Sequence, residues 1–68
     1  TRYLEEALLR TPGDINALNL CGMAHFHADN LERAEYLLAQ AVTRLPDHPK
    51  LRENLELIRS ERKRDVQP

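Results

Sequence analysis

The sequence has few of the residues that stabilise very small domains through disulfide bonds or bound metal ions. Its 68 residues include one cysteine, which excludes an internal disulfide, and only three histidines. No apolar run approaches the roughly 18 residues of a membrane span, and no basic start followed by an apolar core indicates a signal peptide. We therefore expect helix packing to stabilise the chain and no membrane span. The localisation stays open, with the cytoplasm as the default.

Aromatic residues and glycines are equally scarce. With three aromatic residues and a formal net charge of -1, the chain shows no sign of a nucleic-acid surface. Its two glycines are far apart, so it has neither a P-loop nor a dinucleotide fingerprint. The glutamates occupy positions typical of solvated helix faces, so paired acid-base groups are not expected: Glu5, Glu6, Glu32, Glu35, Glu53 and Glu61. We predict no enzymatic activity, no cofactor and no metal.

What the sequence does contain is apolar residues at helical spacing, separated by strong turn signals. Hydrophobic residues make up 41% of the chain. A first helix is predicted to end at Thr11-Pro12-Gly13, where glycine can adopt a left-handed turn. Helices then follow over about 15–27, 31–44 and 50–63. Asp14 is the expected N-cap of the second helix, and Asp29 with Glu32 is a candidate capping box for the third.

The pattern of small and large apolar residues in the two central helices is specific. Gly22, Ala34 and Ala41 are small enough for two helices to approach closely, and Val42 and Leu45 extend the apolar stripe of 31–44. Shifting residues 1–12 by 34 positions places Leu4 on Leu38 and Pro12 on Pro46. This spacing resembles the tetratricopeptide repeat (TPR), which has a 34-residue period. The matching packing positions are Leu18, Cys21, Gly22, His25, Ala34, Leu38, Ala41 and Pro46.

The resemblance implies an all-α fold with antiparallel helical hairpins in a right-handed α-solenoid of about four helices. Residues 1–12 then form the second helix of a preceding partial repeat, so we expect the parent protein to continue N-terminally. Residues 13–47 form one full repeat, 48–64 form a capping helix with a polar outer face, and 65–68 form a frayed tail. Glu56 lies 34 residues after Gly22, at the position where a further TPR repeat would have its glycine.

The resemblance also implies a non-enzymatic scaffold or adaptor. In TPR proteins the first helix of each repeat lines a concave groove that holds a partner peptide or helix. The matching positions are Asn16, Asn19, Met23, Phe26 and His27, with Lys50 one repeat later. Their amide and apolar side chains suit a peptide. Met23 and Phe26 have a second interpretation, as residues that pack against neighbouring helices.

Three alternatives remain open. The module could instead mediate assembly, through self-association as a homo-oligomer or through packing within a larger TPR protein. Cys21 and His25 have the i, i+4 spacing of metal ligands, but two ligands do not make a zinc site, and packing is the favoured interpretation. The basic cluster Arg59, Arg62, Lys63 and Arg64 could contact nucleic acid, although cations are favourable at any helix C-terminus.

Overall fold

The computed structural model describes residues 6, 8–11 and 13–66, and it is all-helical. After a helical segment at residues 6 and 8–10 come three helices: α1 (Ile15–His27), α2 (Leu31–Arg44) and α3 (Pro49–Val66). No strand occurs in the described part of the chain. The predicted all-α class is therefore confirmed. Most residues that carry the 34-residue repeat on the N-terminal side, including Leu4, Ala7 and Pro12, lie outside the described residues. Residues 67 and 68 also lie outside them.

Helix α1 begins as the sequence predicts. The Asp14 carboxylate accepts hydrogen bonds from the backbone N–H groups of Asn16 at 3.0 Å and Ala17 at 3.3 Å. These are amides that the first turn of a helix leaves without a backbone partner. Gly13, by contrast, does not adopt the left-handed conformation expected of it, since no glycine in the described residues has a positive φ.

The turn between α1 and α2 is built differently from the predicted capping box. Asp29 has φ 64°, and its N–H donates to the Phe26 carbonyl at 3.0 Å. The Asn30 N–H donates to the His25 carbonyl at 2.8 Å, which completes a Schellman motif. Asp29 therefore closes α1 instead of capping α2. Asn30 is the N-cap of α2 but makes no side-chain capping bond, because its amide contacts His25 Nδ1 at 3.2 Å.

The core forms where the antiparallel neighbours α1 and α3 pack against α2. Its buried residues come from all three helices: Leu18 and Cys21; Ala34, Leu37, Leu38 and Ala41; Leu51, Leu55 and Ile58. Full burial of each leucine or isoleucine contributes about 1.5–3 kcal/mol. Helix α3 also contacts α1 directly, since Asn54 donates a hydrogen bond to Asn19 at 2.9 Å, so all three helices contact one another.

The positions predicted for structural packing divide into two groups. Leu18, Cys21, Gly22, Ala34, Leu38 and Ala41 are buried. His25 is half-buried, and Pro46 is exposed because it lies in the turn between α2 and α3. Leu45, expected on the apolar stripe, is also exposed, since it follows the last helical residue and its φ of -130° carries the chain off the helical path.

Helix α3 is longer than expected, by one residue at the start and three at the end. Pro49 has the fixed φ of a first helical position, so the helix begins there. At the other end, charged residues with good helix propensity continue to residue 65, and no glycine or proline occurs before Pro68. Residues 65 and 66, predicted as part of a frayed tail, are helical in the structure.

Candidate functional site

The outward side of α1 carries all five groove residues predicted on that helix, together with one residue that the sequence analysis missed. Asn16 and His27 are exposed, while Asn19, Met23 and Phe26 are half-buried. Leu20 lies among them and is 46% exposed. We call this set the α1 exposed face: Asn16, Asn19, Leu20, Met23, Phe26 and His27. Leu20 could have been found from spacing, because it is four residues after Asn16 and three before Met23.

Helix α1 is apolar on two opposite sides. Its inner side contributes Leu18 and Cys21 to the core, and its outer side presents Leu20 and Met23. An ordinary surface helix has one apolar stripe and a polar opposite face. The outer apolar residues of α1 are therefore not explained by the core alone.

Met23 and Phe26 belong partly to the core. Both pack against the buried cluster, and neither is fully covered. The Phe26 ring also meets the His27 ring edge to face, with centroids 5.5 Å apart and an interplanar angle of 66°. The packing interpretation of these residues therefore describes part of their surroundings. The accessible part of each side chain remains available to a partner.

Asn19 makes a specific contact that the sequence did not predict. Its Oδ1 accepts a hydrogen bond from Nδ2 of Asn54 at 2.9 Å, and Asn54 is the one polar residue that is buried within the described part of the chain. This bond joins α1 to α3. The Asn19 oxygen is therefore engaged within the protein and is not an open acceptor for a partner's backbone.

One side of α3 continues the α1 exposed face. Lys50 and Leu57 are both exposed, and they lie four residues before and three after Asn54. Residues at these spacings share one side of a helix. Because Asn54 contacts α1, this side of α3 lies next to the α1 exposed face. Lys50, predicted as a groove residue, is on the same side of the molecule as the rest of the set.

A second missed feature lies on the other side of α3. Glu35 of α2, predicted as a solvated glutamate, accepts hydrogen bonds from Arg59 Nε at 3.0 Å and from Arg62 Nη1. The bond from Arg62 lowers the pKa of Glu35, and the bond from Arg59 acts in the same direction, while burial opposes them. Two cations of the predicted basic cluster are thus paired with a carboxylate. Arg64 lies 3.3 Å from Glu61.

The described part of the chain contains neither a cluster of metal ligands nor a membrane-spanning helix. Cys21 is fully buried, and no group of three His, Cys, Asp or Glu side chains is placed to hold a metal ion within the described part of the chain. Of the helices described, none combines the length and the apolar character needed to cross a bilayer. The arrangement provides an exposed, partly apolar helix face on α1, which packs on α2 and α3.

The sequence matches no protein-family model, and the structure has no significant match among solved structures.

Proposed function

We propose that the chain is a non-enzymatic protein-interaction module that binds a partner peptide or helix along the α1 exposed face. We further propose that its helices form part of a TPR-like right-handed solenoid, in which this face lines the concave side. The antiparallel pairing of α1 with α2 and of α2 with α3 supports this arrangement. So does the close approach at Gly22, where an added Cβ would meet the Leu38 side chain.

The observation that carries the proposal is the exposure of Leu20 beside Met23. Leu20 is 46% exposed on a helix that already buries Leu18 and Cys21 on its other side. Covering a leucine of this kind with a partner removes apolar area from water at about 25 cal/mol per Å². Single exposed apolar residues are common, but here Leu20 is followed three residues later by Met23, and Met23 three residues later by Phe26, both of them partly accessible.

The mechanism we infer is binding by a preorganised surface. Asp14 fixes the start of α1, the Schellman motif at Asp29 fixes its end, and the Asn19–Asn54 bond fixes its position against α3. A rigid face loses little conformational entropy when a partner binds. Asn16 and His27, exposed at the two ends of the face, provide polar groups that orient the partner.

Assembly of several copies is the second candidate, because exposed apolar residues extend from α1 onto α3. Leu57 is 45% exposed on the side of α3 next to the α1 exposed face. A second copy of the chain could cover Leu20 and Leu57 together, as in an isologous dimer. This candidate shares its surface with the first, and the two differ in what covers it.

The test compares two leucines of similar exposure. Leu20→Ala changes the α1 exposed face, and Leu45→Ala changes a leucine that is 43% exposed at the end of α2. Each variant and the wild type serve as bait for affinity capture from the source lysate, with bound proteins identified by mass spectrometry. Sedimentation equilibrium of the same three proteins gives their oligomeric state.

We expect a partner that is retained by the wild type and by Leu45→Ala and is lost from Leu20→Ala. A monomer that behaves in this way supports the interaction module. A wild-type dimer that Leu20→Ala converts to a monomer supports assembly and removes the first candidate. Equal recovery of every bound protein by all three baits contradicts both, since the α1 exposed face would then have no role.

A further inference from the structure

A depression on the opposite side of the molecule has its own chemistry and shares no residue with the α1 exposed face. It lies beside α2 and α3 and is lined by Arg33, Glu35, Tyr36, Ala39 and Arg62, among others. A neighbouring depression shares Glu35 and Arg62 and adds Arg59 and Lys63. The two form one continuous surface, which we call the α2–α3 depression.

The middle of this surface is apolar. Tyr36 is 56% exposed, and Ala39 lies three residues after it on the same side of α2. The Arg33 guanidinium lies over the Tyr36 ring, with its carbon 5.4 Å from the ring centroid. Tyrosine and arginine are the residue types enriched at protein-protein contact points. A tyrosine with an arginine held over it therefore provides a preorganised anchor for a partner.

The charged groups around this anchor are mainly cationic. Among the described residues that line the surface, Arg33, Arg59, Arg62 and Lys63 are the cations, and Glu32 and Glu35 are the carboxylates. Glu35 accepts one bond from Arg59 Nε and one from Arg62 Nη1, whereas each guanidinium has five N–H donors. The Arg59 and Arg62 side chains stay 51% and 45% exposed. Glu35 thus holds both arginines in place. Arg59 already has a second carboxylate nearby, Glu56 at 3.9 Å, whereas donors of Arg62 remain available to a partner's carboxylate.

We propose that the α2–α3 depression binds an acidic protein segment, with a carboxylate on Arg33 and Arg62 and an apolar side chain against Tyr36 and Ala39. Arginine pairs with carboxylates through two parallel bonds, which favours this partner chemistry. A nucleic acid fits less well. The surface has one aromatic ring for stacking, and its two carboxylates interrupt the cations that a phosphate backbone would follow.

The test uses a fluorescent peptide in which glutamates flank a single central leucine, with binding followed by anisotropy. Two further probes are the same peptide with glutamine in place of glutamate, and a single-stranded oligonucleotide of equal charge. Arg33→Ala removes a charge inside the depression. Arg52→Ala is its matched control, because it removes the same charge from an exposed position that lines neither part of the surface. Circular dichroism checks that each variant is folded.

We expect the acidic peptide to bind more tightly than the glutamine peptide and the oligonucleotide. Arg33→Ala and Tyr36→Ala should each raise its Kd about fivefold, and Arg52→Ala by less than about twofold. Leu20→Ala should leave the Kd of the acidic peptide unchanged. The α2–α3 depression and the α1 exposed face are therefore tested independently. Equal weakening by Arg33→Ala and Arg52→Ala would overturn the site in favour of diffuse charge attraction. Tighter binding of the oligonucleotide, or no binding of the acidic peptide, would also overturn it.

Discussion

Glu35 of α2 accepts a hydrogen bond from Arg59 of α3, with 3.0 Å between Oε2 and Nε. Arg62, one turn further along α3, donates to the other oxygen of the same carboxylate. The contact lies far from the connection at residues 45–48, at the opposite end of the α2–α3 pair. The apolar contacts of Leu51, Leu55 and Ile58 along α3 are thus supplemented by a charged contact near its C-terminal end.

The Glu35 contact predicts an acid-dependent loss of stability. Hydrogen bonds from Arg62 and Arg59 lower the folded-state pKa of Glu35 below its ordinary value of 4.5. A lowered folded pKa means that the stabilisation is complete above pH 4.5 and is lost as the pH falls through the folded-state value. Because both arginines are about half exposed, we expect a contribution of only about 0.5–1 kcal/mol.

Glu35→Gln provides the measurement for this prediction. Urea unfolding at neutral pH should show that the variant is less stable than the wild type by about 0.5–1 kcal/mol. The difference should shrink at acidic pH, because protonated Glu35 resembles glutamine. Glu53→Gln is the control, since Glu53 is an exposed glutamate of α3. A Glu35→Gln difference that is constant from neutral to acidic pH would contradict the ion pair.

The two glycines should respond differently to substitution by alanine. At Gly22 an added Cβ would meet the fully buried Leu38 side chain, so Leu38 would have to shift within the core. Overpacking of this kind costs about 1–3 kcal/mol, and the better helix propensity of alanine offsets about 1 kcal/mol. We expect Gly22→Ala to be destabilising in thermal and urea unfolding.

Gly13→Ala is the matched comparison. Its Cβ would lie 2.9 Å from Nη1 of Arg44, an exposed and flexible side chain that can rotate away. Gly13 also has no positive φ, so alanine introduces no backbone strain. We expect a stability change within about 0.5 kcal/mol. Equal effects at the two glycines would show that close packing of α1 on α2 is not the reason for Gly22.

The Asn19–Asn54 bond should couple α1 energetically to α3. A double-mutant cycle with Asn19→Ala, Asn54→Ala and the double variant isolates this contact from the rest of the packing. We expect a coupling of about 0.5–1.5 kcal/mol, the usual net value of a partly buried hydrogen bond. Asn16→Ala paired with Asn54→Ala is the control cycle, since Asn16 is exposed on the same helix. Additive effects of Asn19 and Asn54 would show that the bond contributes nothing in solution.

The helices that local signals delimit could be predicted from the sequence. Asp14 marks the start of α1, and residues 28–30 separate it from α2, so the predicted ranges 15–27 and 31–44 agree with the structure. The predicted capping box of Asp29 and Glu32 does not form. Asp29 has two possible local roles, and it closes α1 in a Schellman motif instead of capping α2. The end of α3 was missed because no stop signal occurs before Pro68.

Contacts between helices were harder to predict than the helices themselves. Glu35 looked like any surface glutamate, and its pairing depends on how α3 packs on α2, which spacing along one helix does not specify. The same holds for Asn54, whose burial follows from its position against Asn19. The α1 exposed face was largely predictable because its residues share one helix, and its missing member, Leu20, follows from the same periodicity.

The most direct test of the central proposal is a two-dimensional ¹H–¹⁵N NMR titration of the chain with a peptide selected from a random library against the wild-type protein. We expect the largest shift changes at the amides of Asn16, Leu20, Met23 and His27, and loss of binding in Leu20→Ala but not in Leu45→Ala. Changes confined to α2 and the far side of α3, with equal affinity for both variants, would contradict the proposal that the α1 exposed face binds the partner.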